Sequence, residues 1–227
     1  MIVELVNRIK NKILYKFLKS ESDLYNRYNQ FASLPNLIRE HKEKFDNTFN
    51  HYVTEISVDS MAISLELAVT LYSLCLLKKP KAILDLGSGY SSFVFRYYQK
   101  HNNTECLVYS IDDNAEWLIK TKEYLLSKEV SIDGVFHIDE IEKLKGVKFD
   151  IILHDMNYVE IRKNYLDLVF DLLGKDGIVL LDDIHKPDYL KACIAKIKQR
   201  QWNFYGMQNT TTDKFKRFSV MAINSIS

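Results

Sequence analysis

The sequence predicts a doubly wound, mostly parallel α/β sheet of seven strands, preceded by a helical extension. Three observations carry that reading. Short apolar runs alternate with helical patterns from residue 82 onward, and the first of them breaks into a turn containing Gly87 and Gly89. All seven glycines lie at or beyond Gly87, while only Pro35 and Pro80 interrupt the first 86 residues. Alternation of this kind builds a sheet with helices on both faces, and a glycine-poor, proline-poor leader reads as helical throughout.

Taken in order, residues 1–19 place Ile2, Leu5, Val6, Ile9, Ile13 and Phe17 on one helical face, with Arg8, Lys12, Lys16 and Lys19 mostly on another. Such a basic amphipathic helix docks on the core or a second copy of the chain, or attaches peripherally to an anionic membrane surface. Residues 21–52 are rich in aromatics (Tyr25, Tyr28, Phe31, Phe45, Phe49, Tyr52) that either pack plainly or cover the mouth of a ligand site. A buried helix over 57–77 follows from Met61, Leu65, Ala68, Val69, Tyr72 and Leu76, and Lys78-Lys79-Pro80 ends it. Strands are then expected at 82–86, 107–111, 134–138, 149–154, 178–181, 202–207 and 217–223, with helices at 115–127, 159–173 and 188–200 and one opening after Gly89. Residues 1–56 therefore form a helical extension and residues 57–227 the α/β domain.

A chain of 227 residues holds one such domain with a sizeable core. With 31 basic against 30 acidic residues the net charge is +1, so bulk electrostatics gives no reason to expect a nucleic acid partner. Cys75, Cys106 and Cys193 are far apart in apolar surroundings and read as reduced core residues, which favours a cytoplasmic location. No apolar run reaches the roughly 18 residues of a membrane span, and residues 1–19 lack the features of a secretory signal.

The expected site lies at the carboxyl ends of the strands, where ligands of open α/β sheets bind. Asp85 ends the first strand, Asp112 and Asp113 the second; Asp139 follows the third, Asp155 the fourth, and Asp182 and Asp183 the fifth. Acids scattered at random would not track the same end of each strand. Asp112 stands 27 residues after Asp85, where a carboxylate at the end of a second strand binds ribose hydroxyls.

Asp85-Leu-Gly87-Ser-Gly89 resembles motif I of the class I S-adenosylmethionine (SAM) dependent methyltransferases, usually Asp/Glu-x-Gly-x-Gly-x-Gly, with Ser91 in place of the third glycine. The Gly-Tyr-Ser-Ser run is similar, with altered spacing, to the Gly-Tyr-Ser of small-molecule O-methyltransferases of the catechol type. The resemblance covers roughly residues 60–227. It implies a Rossmann-like sheet, SAM as cofactor, and O-methylation of a small hydroxylated molecule or a sugar. It also implies site residues: Asp85 and the turn Gly87, Ser88 and Gly89 at the methionine end of SAM, Asp112, with Asp113 beside it, at the ribose, Asp139 near the adenine, and Asp155 close to the reacting methyl group. Asp183 resembles the strand-five acid of the catechol-type enzymes, in which an Asp-Asn pair and the strand-four Asp hold magnesium. Here Ile184 replaces the Asn.

Methyl transfer to a hydroxyl needs its proton removed, by a base or by a cation that acidifies it. His185, oriented by Asp183 or Asp155, is the favoured base, with His154 second; the other route gives Asp155 and Asp183 a shared divalent ion. His137 reads as a core residue of its strand. Two competing functions share the glycine turn: a nicotinamide-dependent oxidoreductase, disfavoured because Asp85 precedes the glycines and the third glycine is missing, and a catalytically silent nucleotide-binding protein.

Overall fold

Strand β1 (Ala82–Leu86) is buried at every position, as a strand covered on both faces must be. It is the centre of a computed structural model that describes residue 10 and residues 12–224. With β2 (Leu107–Asp112), β3 (Val135–His137), β4 (Phe149–His154), β5 (Leu173–Leu181), β6 (Asn203–Gly206) and β7 (Val220–Ile223) it forms one sheet in the order β3-β2-β1-β4-β5-β7-β6. β1 to β5 pair in parallel, and β7 runs antiparallel to both β5 and β6. The reversal of strand order between β1 and β4 makes the switch point, and the ends of β1, β2, β4 and β5 converge there.

Alternate residues of each strand face opposite layers. Ile83, Val108, Ile151, Leu153, Ile178 and Leu180 pack under α4 (Leu65–Lys78), α5 (Tyr90–Asn102) and α6 (Ala115–Ser127). Leu84, Leu86, Ile111, Ile152, Val179 and Leu181 pack under α7 (Val159–Leu172) and α8 (Pro187–Gln199). The boundaries have local causes. Ser64 Oγ caps α4 by accepting from the Leu67 N–H, and Lys79, at φ +47°, ends it in the left-handed region. Asn114 caps α6 by accepting from the Trp117 N–H at 3.0 Å, and Pro187 opens α8.

The chain before β1 departs from continuous helix. α1 (Glu21–Arg27), α2 (Leu34–Glu40) and α3 (Asp46–His51) are short, and α3 widens into a π-type turn over Tyr52–Ile56. Ser20 and Asp23 start α1 with a reciprocal cap, and Pro35 sits in the first turn of α2. Phe31, Leu34, Phe45, Phe49 and Tyr52 join the same core as α4 to α6. Ile2, Leu5, Val6 and Ile9 of the expected amphipathic helix lie outside the described residues. Leu14, Tyr15 and Leu18 pack on the sheet, while Ile13 and Phe17 are 57% and 46% exposed, so the docked face differs from the one the spacing predicts. Lys19 then bonds the edge of β6, donating to Phe204 O and accepting from the Gly206 N–H.

Two further differences matter for the site. The helix expected over 57–77 begins only at Leu65, because Ser64 caps it there; residues 57–64 are loop, and Met61, read as a buried helical position, is 60% exposed. β5 begins at Leu173 rather than 178, through an irregular pairing with β4 between Phe149 and Ile151. At Gly177 a Cβ would lie 2.9 Å from the carbonyl oxygens of Gly174 and Phe149, which explains the missing side chain. No helix among the described residues is long and apolar enough to cross a membrane.

Candidate active site

Beyond Leu86 the chain turns through Gly87, Ser88 and Gly89 into α5. Gly87 has φ +103°, and a Cβ there would stand 2.2 Å from the carbonyl oxygen of Asp155, so glycine alone fits. The close approach lets the Asp155 N–H donate to Leu86 O at 2.7 Å, locking the ends of β1 and β4 together. At Gly89 a Cβ would come within 3.0 Å of the Tyr52 hydroxyl. Ser92, two residues into the helix, accepts from the Gly89 N–H at 3.1 Å and steadies the turn. A cavity of about 480 Å³ opens on this turn.

One end of the cavity is lined by Ser88, Asp112, Asn114 and Trp117. Asp112 accepts from the Ser88 N–H at 2.8 Å, the Ser88 hydroxyl at 3.2 Å and the Asn114 N–H at 3.0 Å. Desolvation, aided by the charge of Asp113, pushes Asp112 up to about 6 against those bonds. Trp117 donates from Nε1 to Ser88 O at 2.7 Å and so fixes the outer wall. This end offers a carboxylate, main-chain edges and an indole, a surface suited to a ribosyl-purine.

The expected residues are not all brought here. Asp85 lies fully buried beneath the turn and does not line the cavity: its Oδ2 accepts from the hydroxyls of Ser92 at 2.6 Å and Ser110 at 3.0 Å. Ser110 also accepts from Arg96, a buried guanidinium on α5 that ties down Val108 O and Asp133 O. Desolvation lifts Asp85 to about 6 and lowers Arg96 to about 10. Asp85 therefore organises the turn from below, and its expected contact with a ligand is replaced by hydroxyls of its own chain. Asp113 does not line the cavity either, and its carbonyl meets His137 Nε2 at 3.0 Å. Asp139 projects outward, 86% exposed, against His137 Nδ1 at 3.1 Å.

The other end of the cavity gathers Asp155, Asp182 and Asp183 from β4 and β5 with Arg162 of α7 and Lys186. Arg162 Nη2 donates to Asp155 Oδ1 at 2.7 Å and to Asp183 Oδ2 at 3.2 Å, Nη1 donates to Asp182 O at 3.1 Å, and Nε reaches Met156 O. Lys186 Nζ donates to Asp183 Oδ2 at 2.7 Å, and Ser219 donates to Asp182 Oδ1 at 2.6 Å. Burial would raise all three acids. It prevails at Asp155 and Asp182, assisted by the neighbouring carboxylates, whereas Arg162 and Lys186 hold Asp183 below the usual carboxylate range. Asp183 itself sits at φ +58°, a left-handed conformation uncommon for aspartate.

His185 does not line this cavity. It borders a neighbouring hollow with Val159, Glu160 and Pro187, and its Nδ1 stands 3.5 Å from Asp183 Oδ1. His154 is sealed in the core, its Nδ1 2.9 Å from the Tyr189 hydroxyl, and desolvation lowers it to about 3. Neither imidazole reaches the cavity that the acids share. Sequence reasoning passed over Arg162, Lys186, Asn114 and Trp117. The detectable signal for Arg162 is its place on the buried stripe of α7 with Leu166, Val169 and Phe170, where a charge needs a partner.

A family model described as a methyltransferase domain matches residues 77–222, more than half of the chain. No curated protein matches. Among solved structures, the O-methyltransferase TomG of Streptomyces achromogenes, involved in tomaymycin synthesis and solved with SAM, is 14% identical with a TM-score of 0.61, covering 82% of this chain and 88% of that one. A Bacillus cereus O-methyltransferase in complex with S-adenosylhomocysteine (SAH) is 11% identical, TM-score 0.56, with 82% and 90% covered. An SAH-bound methyltransferase of Podospora anserina is 18% identical, TM-score 0.53, with 90% and 97% covered. The domain match, the strand order and the glycine turn facing a strand-two acid agree, and the chain belongs to the methyltransferase-domain family, a class I SAM-dependent methyltransferase in its fold.

Proposed function

We propose that this chain transfers the methyl group of SAM to a hydroxyl of a small acceptor, such as a hydroxylated metabolite or a sugar. The observation that carries the reading is one cavity holding the Asp112 end and the Asp155 end on either side of the Gly87 turn. The similar solved structures described as O-methyltransferases support oxygen as the accepting atom. The residues present fit SAM: Asp112 would hold the ribose hydroxyls, Trp117 and Asn114 would border the adenosine, and the turn at Gly87 to Gly89 leaves its main chain open to the amino-acid portion. When bound, SAM supplies an electrophilic methyl on a sulfonium.

Asp155 is the residue assigned to the acceptor's proton. It lies beside Gly87, and among the described residues no hydrogen bond engages its Oδ2, whereas Oδ1 is held by Arg162. Burial raises its basicity above that of an ordinary carboxylate, the direction a general base at neutral pH requires. Ile56, Val58, Met61, Ala62 and Ile63 line the same cavity and favour an acceptor with an apolar body. His185 is set aside as base because it borders the other hollow.

The basic amphipathic pattern of residues 1–19 supports contact with an anionic surface or with a second copy of the chain, which vesicle sedimentation and light scattering would separate. Three buried free cysteines support a cytoplasmic location. The reading is tested by calorimetry with SAM followed by an acceptor screen for SAH release. Absence of SAM binding by the full chain would overturn it.

A further inference from the structure

A divalent ion shared by Asp155 and Asp183 is the arrangement that the strand-end acids of the catechol-type enzymes would suggest, and the residues here do not fit it. Magnesium or calcium takes about six or more oxygen ligands at roughly 2.0–2.6 Å. Among the described residues no three His, Cys, Asp or Glu side chains form a group able to hold a metal. Ile184, fully buried, offers no oxygen where a neutral ligand would be needed, and Asp182 Oδ1 is engaged by Ser219.

The space between the two carboxylates belongs to Arg162. A single nitrogen, Nη2, contacts both acids, at 2.7 and 3.2 Å. The remaining nitrogens are anchored on Met156 O and Asp182 O, and the guanidinium lies over the Tyr189 ring, 5.5 Å from its centroid. Its side chain is 3% exposed, so it is part of the core and not a surface arm that swings aside. Desolvation works against its charge, yet Asp155 and the acids around it raise its pKa above the ordinary value, so it stays protonated. Lys186 adds a second positive charge on Asp183 Oδ2. An incoming divalent ion would meet two cations there, and to bridge the pair through Asp155 Oδ1 and Asp183 Oδ2 it would have to break the hydrogen bonds that Arg162 Nη2 makes to both.

The geometry points to Arg162 as a resident cation that takes the place of a divalent metal, so that this methyltransferase holds no ion at the Asp155 and Asp183 pair. The same contact makes Arg162 a positioning residue. It fixes Asp155 Oδ1 and leaves Oδ2 to receive the acceptor's proton, a role that rests on the reading of Asp155 as base. Lysine cannot reproduce it, because a point charge lacks the fork that spans two carboxylates and two carbonyls.

The test is a titration of the full chain, stripped with EDTA, with Mn²⁺, following free Mn²⁺ by electron paramagnetic resonance. The wild type should show no stoichiometric site at millimolar Mn²⁺, and Arg162→Ala, which frees Asp155 and leaves Asp183 with Lys186 alone, should bind at least about tenfold more tightly than wild type. Stoichiometric Mn²⁺ binding by the wild type that Asp183→Asn abolishes would overturn the proposal. That wild-type measurement decides the matter even where Arg162→Ala fails to fold, and it does not depend on methyl transfer. For positioning, Arg162→Lys should lower kcat at least about tenfold and shift its pH profile while leaving SAM affinity within about twofold. An unchanged kcat and profile in that variant would refute the positioning role, whereas failure of the wild type to turn over any acceptor bears on the proposed reaction and not on the resident cation.

Discussion

With Asp112 holding the ribose as proposed, the affinity for SAM is expected to depend on pH. Burial lifts its carboxyl to about 6, while the hydroxyls of a ribose call for the charged form, which accepts two strong hydrogen bonds. Binding therefore requires loss of the proton, and the apparent Kd scales as one plus the ratio of protonated to ionised Asp112. With a pKa near 6 the correction is negligible at pH 7 and about elevenfold at pH 5, close to 1.4 kcal/mol. Asp112→Asn removes the charge; at roughly 1.5–3 kcal/mol for a hydrogen bond to a charged group, affinity at pH 7 should fall by about 10- to 150-fold. The amide also turns an N–H toward one of two main-chain donors, Ser88 N or Asn114 N, so the melting temperature of the variant is the necessary control. Calorimetry at pH 5, 6 and 7 should show the inflection in wild type and lose it in the variant. A wild-type affinity that is flat across this range, or an inflection that persists in Asp112→Asn, would refute the argument.

Asp85, raised from 3.8 to about 6, is favoured in its protonated form when folded, so its stabilising contribution is full below about pH 4 and lost as pH rises through 6. Of about 3 kcal/mol in all, about 1 should disappear between pH 5 and 7, read as the change in the urea-unfolding difference between wild type and Asp85→Asn; a constant difference would contradict it. Gly87→Ala places a Cβ 2.2 Å from Asp155 O at φ +103°, and should cost more than about 3 kcal/mol of unfolding free energy or prevent soluble expression; a near-native melting curve would mean the turn is looser than described. Once an acceptor is known, Asp155→Asn should lower kcat by about a hundredfold or more and His185→Ala by less than about fivefold; the reverse order would return the base to His185.

Much of the sheet was legible because β1, β2 and β4 are apolar runs bounded by turn residues, and the acids at their ends follow from strand polarity. The partners of those acids were not. Asp85 sits in the same motif whether it faces a ligand or, as here, Ser92, Ser110 and Arg96; the choice is made by which face of β1 the residue occupies against α5. Arg162 meets Asp155 only because the first turn of α7 doubles back over the end of β4, a juxtaposition that no spacing encodes. The starts of α1 and α2 carry local signals, the Ser20 and Asp23 cap and Pro35, that a reading of the segment as helical throughout overrides, whereas packing of Phe31, Phe45 and Tyr52 into one core sets the path between the helices. His185 looked catalytic by its nearness to Asp183 two residues earlier. Both lie beyond the end of β5, where the chain turns at Asp183 (φ +58°) and strand alternation no longer sets the direction of a side chain, and the imidazole borders the next hollow.

The insertion of β7 between β5 and β6 has a consequence for how the molecule is made. β6 precedes β7 in the chain yet has no place in the sheet until β7 has paired with β5, since β7 alone bridges them. Until then the edge of β5 presents Ile178, Val179, Leu180 and Leu181 with unsatisfied main-chain groups, a short β-prone apolar segment without charge. A partly assembled chain is thus most vulnerable to self-association along that edge, and substitutions that weaken β7, such as Met221→Asp, should appear first as aggregation during synthesis or refolding, before any loss of SAM affinity in the fraction that folds.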